Sequence, residues 1–400
     1  MMNRDRLLKE SKKWVEENII SEDQQSQILE RYPKRQNRPL LLTFAAIFVG
    51  LGFLTFIASN WSLMNDIVRM GVILFFLLAF YLAGDWVYRK KSKPVGESLI
   101  LIALLVFGAG IFLTGQMYHY MSFNAFPFFI WSLAGFGLYL LFKELSLFIA
   151  TLLIMTVGQI YSSAAFQSFH LWMGLLFIVG ISVLVYQRRE PILTFVFGLS
   201  YAVQSLVFVL TESLDYYWLF VFFLLLYLVD DAISVKGQIR SLKTISIVAV
   251  FILNVFEVFF LGQNWMENIG DSSFSFFIIW AILFVFAVIR SAVSSTNYYW
   301  IDLILFVPVF RFAFGDVLSL GILFGYALLW LIFGYHQEIR RWINKGTAAF
   351  LITTFIAYFQ LAWDFMNRSL FFFIGGLLLF MLSFFLERKR RQFSKGREAA

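Results

Sequence analysis

Cysteine is absent from this chain of 400 residues, and histidine occurs only three times. Without cysteine the chain has no disulfide framework, no thiolate nucleophile and no thiolate metal ligand. His119, His170 and His336 are scattered, and neither a carboxylate nor a second histidine stands at metal-ligand spacing from them. The sequence therefore predicts no bound metal and no cofactor.

Common catalytic motifs are missing as well. The patterns HExxH, GxxxxGKS/T and GxSxG do not occur. Integral glycosyltransferases and polysaccharide polymerases usually need a sizeable outer domain for their lipid-linked substrate. The longest predicted outer connection here, residues 264–273, is only about ten residues long. We therefore expect a protein that is not an enzyme.

Charged residues are scarce and apolar residues are abundant. Charged residues make up 14% of the chain, against about 25% in typical soluble domains. Hydrophobic residues make up 60%, and the 51 Phe and 12 Trp suit lipid-facing surfaces and interfacial belts. A soluble protein with a very large core would need long polar faces, which this chain lacks. The composition predicts an all-α, polytopic membrane protein.

Residues 98–120 are the clearest membrane-spanning segment. They carry no charge, and about 20 apolar residues cross the hydrocarbon core as a helix. Similar apolar runs predict about fourteen transmembrane helices, arranged as repeated helical hairpins within a membrane domain of residues 39–387. The predicted spans are 40–59, 70–88, 98–118, 125–142, 145–163, 169–187, 191–211, 216–229, 243–262, 274–290, 299–315, 317–335, 347–363 and 370–386.

Two charged segments flank this membrane domain. Residues 1–38 are predicted to form a small cytosolic helical hairpin. Residues 4–17 mix apolar and charged side chains at helical spacing, and residues 21–24 have the pattern of a capping box that opens a second helix. The basic segment 388–400 is predicted to be a cytosolic tail.

Positively charged residues predict the orientation. Of the 32 Lys and Arg residues, 29 lie in the two termini and in the alternate loops on the same side. The other three are Arg69, Arg311 and Arg368. Because cytoplasmic loops carry an excess of Lys and Arg, both termini are predicted to be cytoplasmic. The net charge of +7 is therefore a topology signal, and no nucleic-acid partner is expected.

Spans that run outward end alike, with an amide close to an aromatic residue. The clearest examples are GQMY at residues 115–118 and GQIY at residues 158–161. Glycine permits close helix approach and glutamine can bond across helices, which favours a polar lining of an outward-facing vestibule. Ordinary anchoring at the membrane interface is the alternative. The predicted lining residues are Asn60, Gln116, His119, Gln159, Gln204, Asn254, Gln263 and Gln360.

Glu257 and Arg311 are the most unusual ionisable residues of the predicted spans. Each lies about four residues beyond the centre of an outward-running span, so both are predicted at about 6 Å from the midplane. Equal depth and opposite charge favour an intramembrane pair, with Asn254 on the face of Glu257. Pro308 is expected to kink the helix of Arg311. The pair would either bind a proton or substrate, or hold two helices together.

A resemblance is carried by short motifs in the first third of the chain. These are Trp14, Ile19-Ile20, Gln27-Ile28, Tyr32, Ala58-Ser59-Asn60-Trp61, Arg69 and Gly115-Gln116. Together they resemble a bacterial family of predicted membrane proteins, catalogued as domain of unknown function twenty-one fifty-seven. The resemblance implies a multi-spanning protein, typical of the bacterial plasma membrane, and implies no particular activity.

Two functions follow from these features. Many spans, short loops and an intramembrane charge pair favour a transporter or lipid-flippase-like permease for an unidentified small molecule or lipid. The alternative is a membrane scaffold or regulatory protein that docks a cytosolic protein partner through residues 4–32. Membrane lipids are expected partners in both cases. A continuous polar cavity reaching Glu257 and Arg311 would favour transport.

Overall fold

The structure is a computed structural model. It describes residues 14–17, 19–30, 65–120, 123–233, 240–261, 274–293, 300–312 and 314–362, together with separate residues between 8 and 59 and between 373 and 384. All regular elements of the described residues are helical. Contacts divide the chain into two compact units, Met1–Met121 and Ser122–Ala400.

The first unit contains a short helix and a long helical hairpin. Its described helices are Glu22–Glu30 (α1), Asp66–Lys90 (α2) and Lys93–Met117 (α3). Gly96 makes the tight turn between α2 and α3 possible, since a Cβ atom there would lie 2.3 Å from the backbone nitrogen of Tyr88.

The predicted capping box before α1 is confirmed. The backbone nitrogen of Ser21 donates to Gln24 Oε1 at 3.0 Å, and the backbone nitrogen of Gln24 donates to Ser21 Oγ at 3.3 Å. These two bonds satisfy donors that the first helical turn cannot pair internally. Much of residues 1–38 lies outside the described residues, so the helical hairpin and its protein partner stay predictions.

The second unit contains the remaining helices. They are Phe126–Phe142 (α4), Leu145–Phe166 (α5), Leu171–Arg188 (α6), Pro191–Thr211 (α7), Trp218–Ile233 (α8), Ser241–Phe260 (α9), Phe274–Val293 (α10), Trp300–Leu303 (α11), Gly315–His336 (α12) and Arg340–Ala362 (α13). A π-helical turn at Leu176–Ile181 interrupts α6.

Eight of the described helices are long and apolar enough to cross a membrane, which makes this a membrane protein with several apolar spans. The predicted span 191–211 coincides with α7. The predicted count of fourteen is not confirmed, because spans 40–59 and 370–386 fall largely outside the described residues. The prediction of one continuous helix over 299–315 is wrong, since helical structure is interrupted after Phe306.

Aromatic side chains form the centre of the second unit. Tyr217 stacks on Phe310 with ring centroids 4.5 Å apart, and Tyr227 meets Phe306 edge-on at 5.6 Å. Phe276 is fully buried in the same cluster. Because offset and edge-to-face aromatic pairs have preferred geometries, this cluster fixes the chain around residues 304–310.

Helices α12 and α13 form a tight hairpin. A Cβ atom on Gly346 would lie 2.6 Å from the backbone nitrogen of Leu331. Small residues let helix backbones approach closely in this way. The close approach places Lys345, the residue before Gly346, against the aromatic face of α12.

Candidate functional site

The interrupted segment between α11 and α12 is the central feature of the site. After α11 the chain makes one 3₁₀ turn at Ile304–Phe306 and then continues in extended form, with φ −78° and ψ 114° at Val307. Pro308 explains this change, because proline disfavours helical geometry in the residue that precedes it and provides no N–H donor. The proline therefore ends the helix instead of kinking it.

Two side chains from neighbouring helices bind the carbonyls that the break exposes. Asn254 Nδ2 donates to the carbonyl of Leu305 at 2.9 Å, and Trp280 Nε1 donates to the carbonyl of Phe306 at 2.9 Å. Irregular backbone is tolerated at membrane depth only where protein or water satisfies it. Asn254 and Trp280 supply that satisfaction from α9 and α10.

Asn254 also presents an unused acceptor. Its amide nitrogen donates to two carbonyls, of Val250 and Leu305, both at 2.9 Å. The nitrogen must face these carbonyls, so the amide oxygen faces elsewhere. That oxygen is buried and accepts no hydrogen bond from the part of the chain that the structure describes. A buried acceptor of this kind is available to a proton donor or a cation.

Glu257 lies one helical turn beyond Asn254 and is fully buried. Its carboxylate accepts a hydrogen bond from the Tyr216 hydroxyl at 3.3 Å and from the Ser319 hydroxyl at 2.9 Å. Both donors are neutral. The burial of Glu257 agrees with its predicted place in the interior. Its hydrogen-bond donors, Tyr216 and Ser319, were not among the residues predicted from the sequence.

Arg311 lies elsewhere on the interrupted segment. It occupies a turn and is exposed, and its guanidinium carbon stands 5.8 Å from the centroid of the Phe277 ring. The hydrogen bonds of Glu257 come from hydroxyls and not from this guanidinium. The predicted ion pair of Glu257 and Arg311 is therefore not confirmed.

A second buried carboxylate was not recognised from the sequence. Asp302 is 2% exposed, and its Oδ1 accepts hydrogen bonds from Lys345 Nζ at 2.6 Å and from Trp330 Nε1 at 3.0 Å. The Lys345 ammonium also lies 4.0 Å from the Trp330 ring centroid. Lys243 is also buried, and its ammonium lies 4.5 Å from the centroid of the Tyr227 ring.

The two carboxylates occupy different levels of α12. Ser319, which binds Glu257, and Trp330, which binds Asp302, are eleven residues apart on this helix. At about 1.5 Å per residue, their separation along the axis is about 16 Å. The interrupted segment runs between these levels, since it begins beside Asp302 and contacts Asn254 through Leu305. The interrupted segment thus lies between two buried carboxylates, and Asn254 and Trp280 bind two of its backbone carbonyls.

The other predicted lining residues occupy separate places. Gln159 is fully buried, donates to the carbonyl of His170 and accepts from its backbone nitrogen, both at 3.0 Å. Gln204 donates to Ser200 Oγ at 3.1 Å and lines a cavity of about 480 Å³ beside α6. Gln116 and His119 are exposed in the first unit, and Gln360 is half-buried. Asn60 and Gln263 lie outside the described residues.

Three of the predicted lining amides in the second unit therefore make separate local contacts. Gln159 fixes the entry to α6, Gln204 faces a mostly apolar cavity, and Asn254 supports the interrupted segment. Their joint lining of a vestibule stays a prediction. Within the same described residues, no three His, Asp or Glu side chains are grouped so as to hold a metal ion.

Comparison with known proteins finds a family-model match for the first part of the chain only. No curated protein and no solved structure matches the chain. Glu257 and Asp302 both lie outside the part of the chain that the family model matches. Residues 12–148 match the family model described as predicted membrane protein (DUF2157), which confirms for this third of the chain the resemblance seen in its motifs.

Proposed function

We propose that this chain is a transporter or lipid-flippase-like permease and not an enzyme. In this proposal it lies in a bacterial plasma membrane with both termini in the cytoplasm, as the distribution of Lys and Arg favours. The interrupted segment between α11 and α12 forms the centre of its transport route.

The observation that carries this proposal is the environment of Glu257. A fully buried carboxylate held by two neutral hydroxyls has no cation to offset its charge among the described residues. Ionisable groups inside a membrane are costly and mark ion or substrate pathways. Glu257 is therefore suited to take up a proton or a cationic group, and Tyr216 and Ser319 can rotate their hydroxyls to suit either state.

Asn254, which contacts the interrupted segment from α9, supplies a second polar group. Transporters often bind substrate or ions where helices are discontinuous, because unwound backbone offers free carbonyls there. Here the buried amide oxygen of Asn254 lies one turn from Glu257 on the same helix face. These two groups give the route two oxygen acceptors one helical turn apart. The Asp302 and Lys345 pair anchors the other end of the segment.

Reconstitution into liposomes tests the proposal. One measurement follows the dithionite-accessible fraction of fluorescent nitrobenzoxadiazole phosphatidylglycerol, and a second follows internal pH with pyranine during addition of amino acids, sugars and organic cations. We expect activity in one of these assays and at least a tenfold loss in Glu257→Gln. Glu212→Gln, at an exposed helix end, is the control and should match the wild type. Inactivity in both assays, or full activity of Glu257→Gln, would contradict the proposal.

A further inference from the structure

A groove separates α9 from α13, and the exposed sides of both helices open onto it. It has a volume of about 670 Å³, and its only lining residue from α12 is Tyr326. Val248, Ile252 and Ile352 on its walls are 53%, 61% and 50% exposed. These residues belong to apolar helices, so the groove opens where lipid would surround the protein.

The dimensions of the groove match one leaflet of a bilayer. Its wall on α9 runs from Thr244 to Val255, and its wall on α13 runs from Lys345 to Ile356. Each wall covers eleven residue steps, which is about 16 Å of helix. Half of a hydrocarbon core of about 30 Å is about 15 Å. An extended acyl chain from a single leaflet therefore fits the length of the groove.

The polar groups of the groove are concentrated at one end. Lys345 lines this end and has a side chain that is 33% exposed. Its ammonium has three N–H donors, and Asp302 accepts one of them. No acidic side chain is among the described residues that line the groove. The two N–H donors that Asp302 does not accept are therefore available to an anion at this end.

A second cation stands beside it. Arg341 is exposed and lies four residues before Lys345, one turn earlier on the same face of α13. It forms no ion pair with the described acidic residues. Arginine binds phosphate oxygens in a bidentate manner, and lysine adds a point charge. The two side chains suit a phosphate group at the level of a lipid headgroup.

We infer that this groove binds one acyl chain of an anionic phospholipid, with the lipid phosphate held by Lys345 and Arg341. The site lies on the outside of the bundle and does not depend on whether the chain transports a substrate. The lipid supplies an anion next to Lys345, while Asp302 keeps its own hydrogen bond to the same ammonium.

The absence of native cysteine allows a direct test. Ile352→Cys places one thiol in the groove of the full chain, and Ile282→Cys places one at a lipid-facing position of α10 that is 64% exposed. Each thiol is labelled with bimane, and the proteins are placed in phosphatidylcholine nanodiscs. Increasing mole fractions of phosphatidylglycerol with a brominated acyl chain then quench the label. Brominated phosphatidylcholine is the headgroup control.

We expect half-maximal quenching at residue 352 at a mole fraction of brominated phosphatidylglycerol at least threefold lower than at residue 282. Arg341→Gln, which leaves the Asp302 and Lys345 pair intact, should remove this difference. Equal curves at the two positions would overturn the inference. This result is expected if another segment of this chain, and not a lipid, fills the groove. Equal quenching by both brominated lipids, or no effect of Arg341→Gln, would overturn the assignment of the phosphate.

Discussion

The Lys345 ammonium lies 2.6 Å from an oxygen of Asp302, a carboxylate that is only 2% exposed and stands 43 residues away in sequence. Trp330 donates to the same oxygen. Removing one member of a buried pair leaves an uncompensated charge, whereas removing both can be nearly neutral. This contact therefore holds the start of the interrupted segment against α12 and α13.

The first prediction concerns this pair. Lys345→Met should lower the free energy of unfolding by about 3–5 kcal/mol, because Asp302 is left buried without its cation. The double variant Asp302→Asn with Lys345→Met should regain most of that loss, since asparagine still accepts from Trp330. Unfolding in detergent with increasing dodecyl sulfate measures both values.

The exposed pair of Arg89 and Asp85, also at 2.6 Å, provides the control. Arg89→Met should leave unfolding unchanged, because water solvates the remaining carboxylate. If the double variant were no more stable than Lys345→Met alone, Lys345 would stabilise the protein by a means other than its charge.

The second prediction concerns the amide that supports the break. Asn254→Asp keeps the shape of the side chain but replaces a donor by an oxygen that faces two carbonyls. We expect the free energy of unfolding to fall by about 1–3 kcal/mol, because buried carbonyls lose their hydrogen-bond donor. The thermal unfolding midpoint in detergent is the measurement.

The same substitution at Asn65 should behave differently. This exposed residue is the N-cap of α2, and its side chain makes no capping hydrogen bond. Asn65→Asp should therefore leave the midpoint unchanged or raise it slightly, because a negative charge is favourable at a helix N-terminus. Equal losses at both positions would show that the donor role of Asn254 is unimportant.

The third prediction separates two glutamines with the same sequence context. Gln159 is buried and makes two hydrogen bonds to the backbone of His170, whereas Gln116 in the corresponding motif is exposed. Gln159→Leu should destabilise the protein by about 1–3 kcal/mol, because two backbone groups lose their partner. Gln116→Leu should have little effect. Equal effects in thermal unfolding would favour a shared role at the membrane interface.

Helix positions were accessible from the sequence because apolar runs have a minimum length in a membrane. The run that became α7 was predicted to the residue, and the capping box at Ser21 followed from side-chain chemistry. The burial of Glu257 was also predictable, because ionisable residues in membrane-spanning segments usually face the protein interior or water.

The partners of the buried carboxylates were not accessible in the same way. The distribution of Lys and Arg predicts that Lys345 lies in a loop, whereas α13 begins at Arg340 and includes Lys345. Tyr216 and Ser319 are common residue types at positions 41 and 62 residues from Glu257. Pro308 was the available signal for the break, since the restriction it places on Val307 favours an extended residue. A proline within an apolar run predicts a kink, but here the helix ends before it.

The most direct test of the central claim is whether water reaches the level of Glu257. Ser319 and Ser246 are both fully buried and both donate a hydrogen bond, to Glu257 and to the carbonyl of Phe223 respectively. In the cysteine-free chain, Ser319→Cys and Ser246→Cys each carry a single thiol, which is exposed to a charged, membrane-impermeant methanethiosulfonate in liposomes. A transport route through Glu257 predicts that the thiol at 319 reacts while the thiol at 246 stays unmodified. No reaction at 319, or equal rates at both positions, would contradict it.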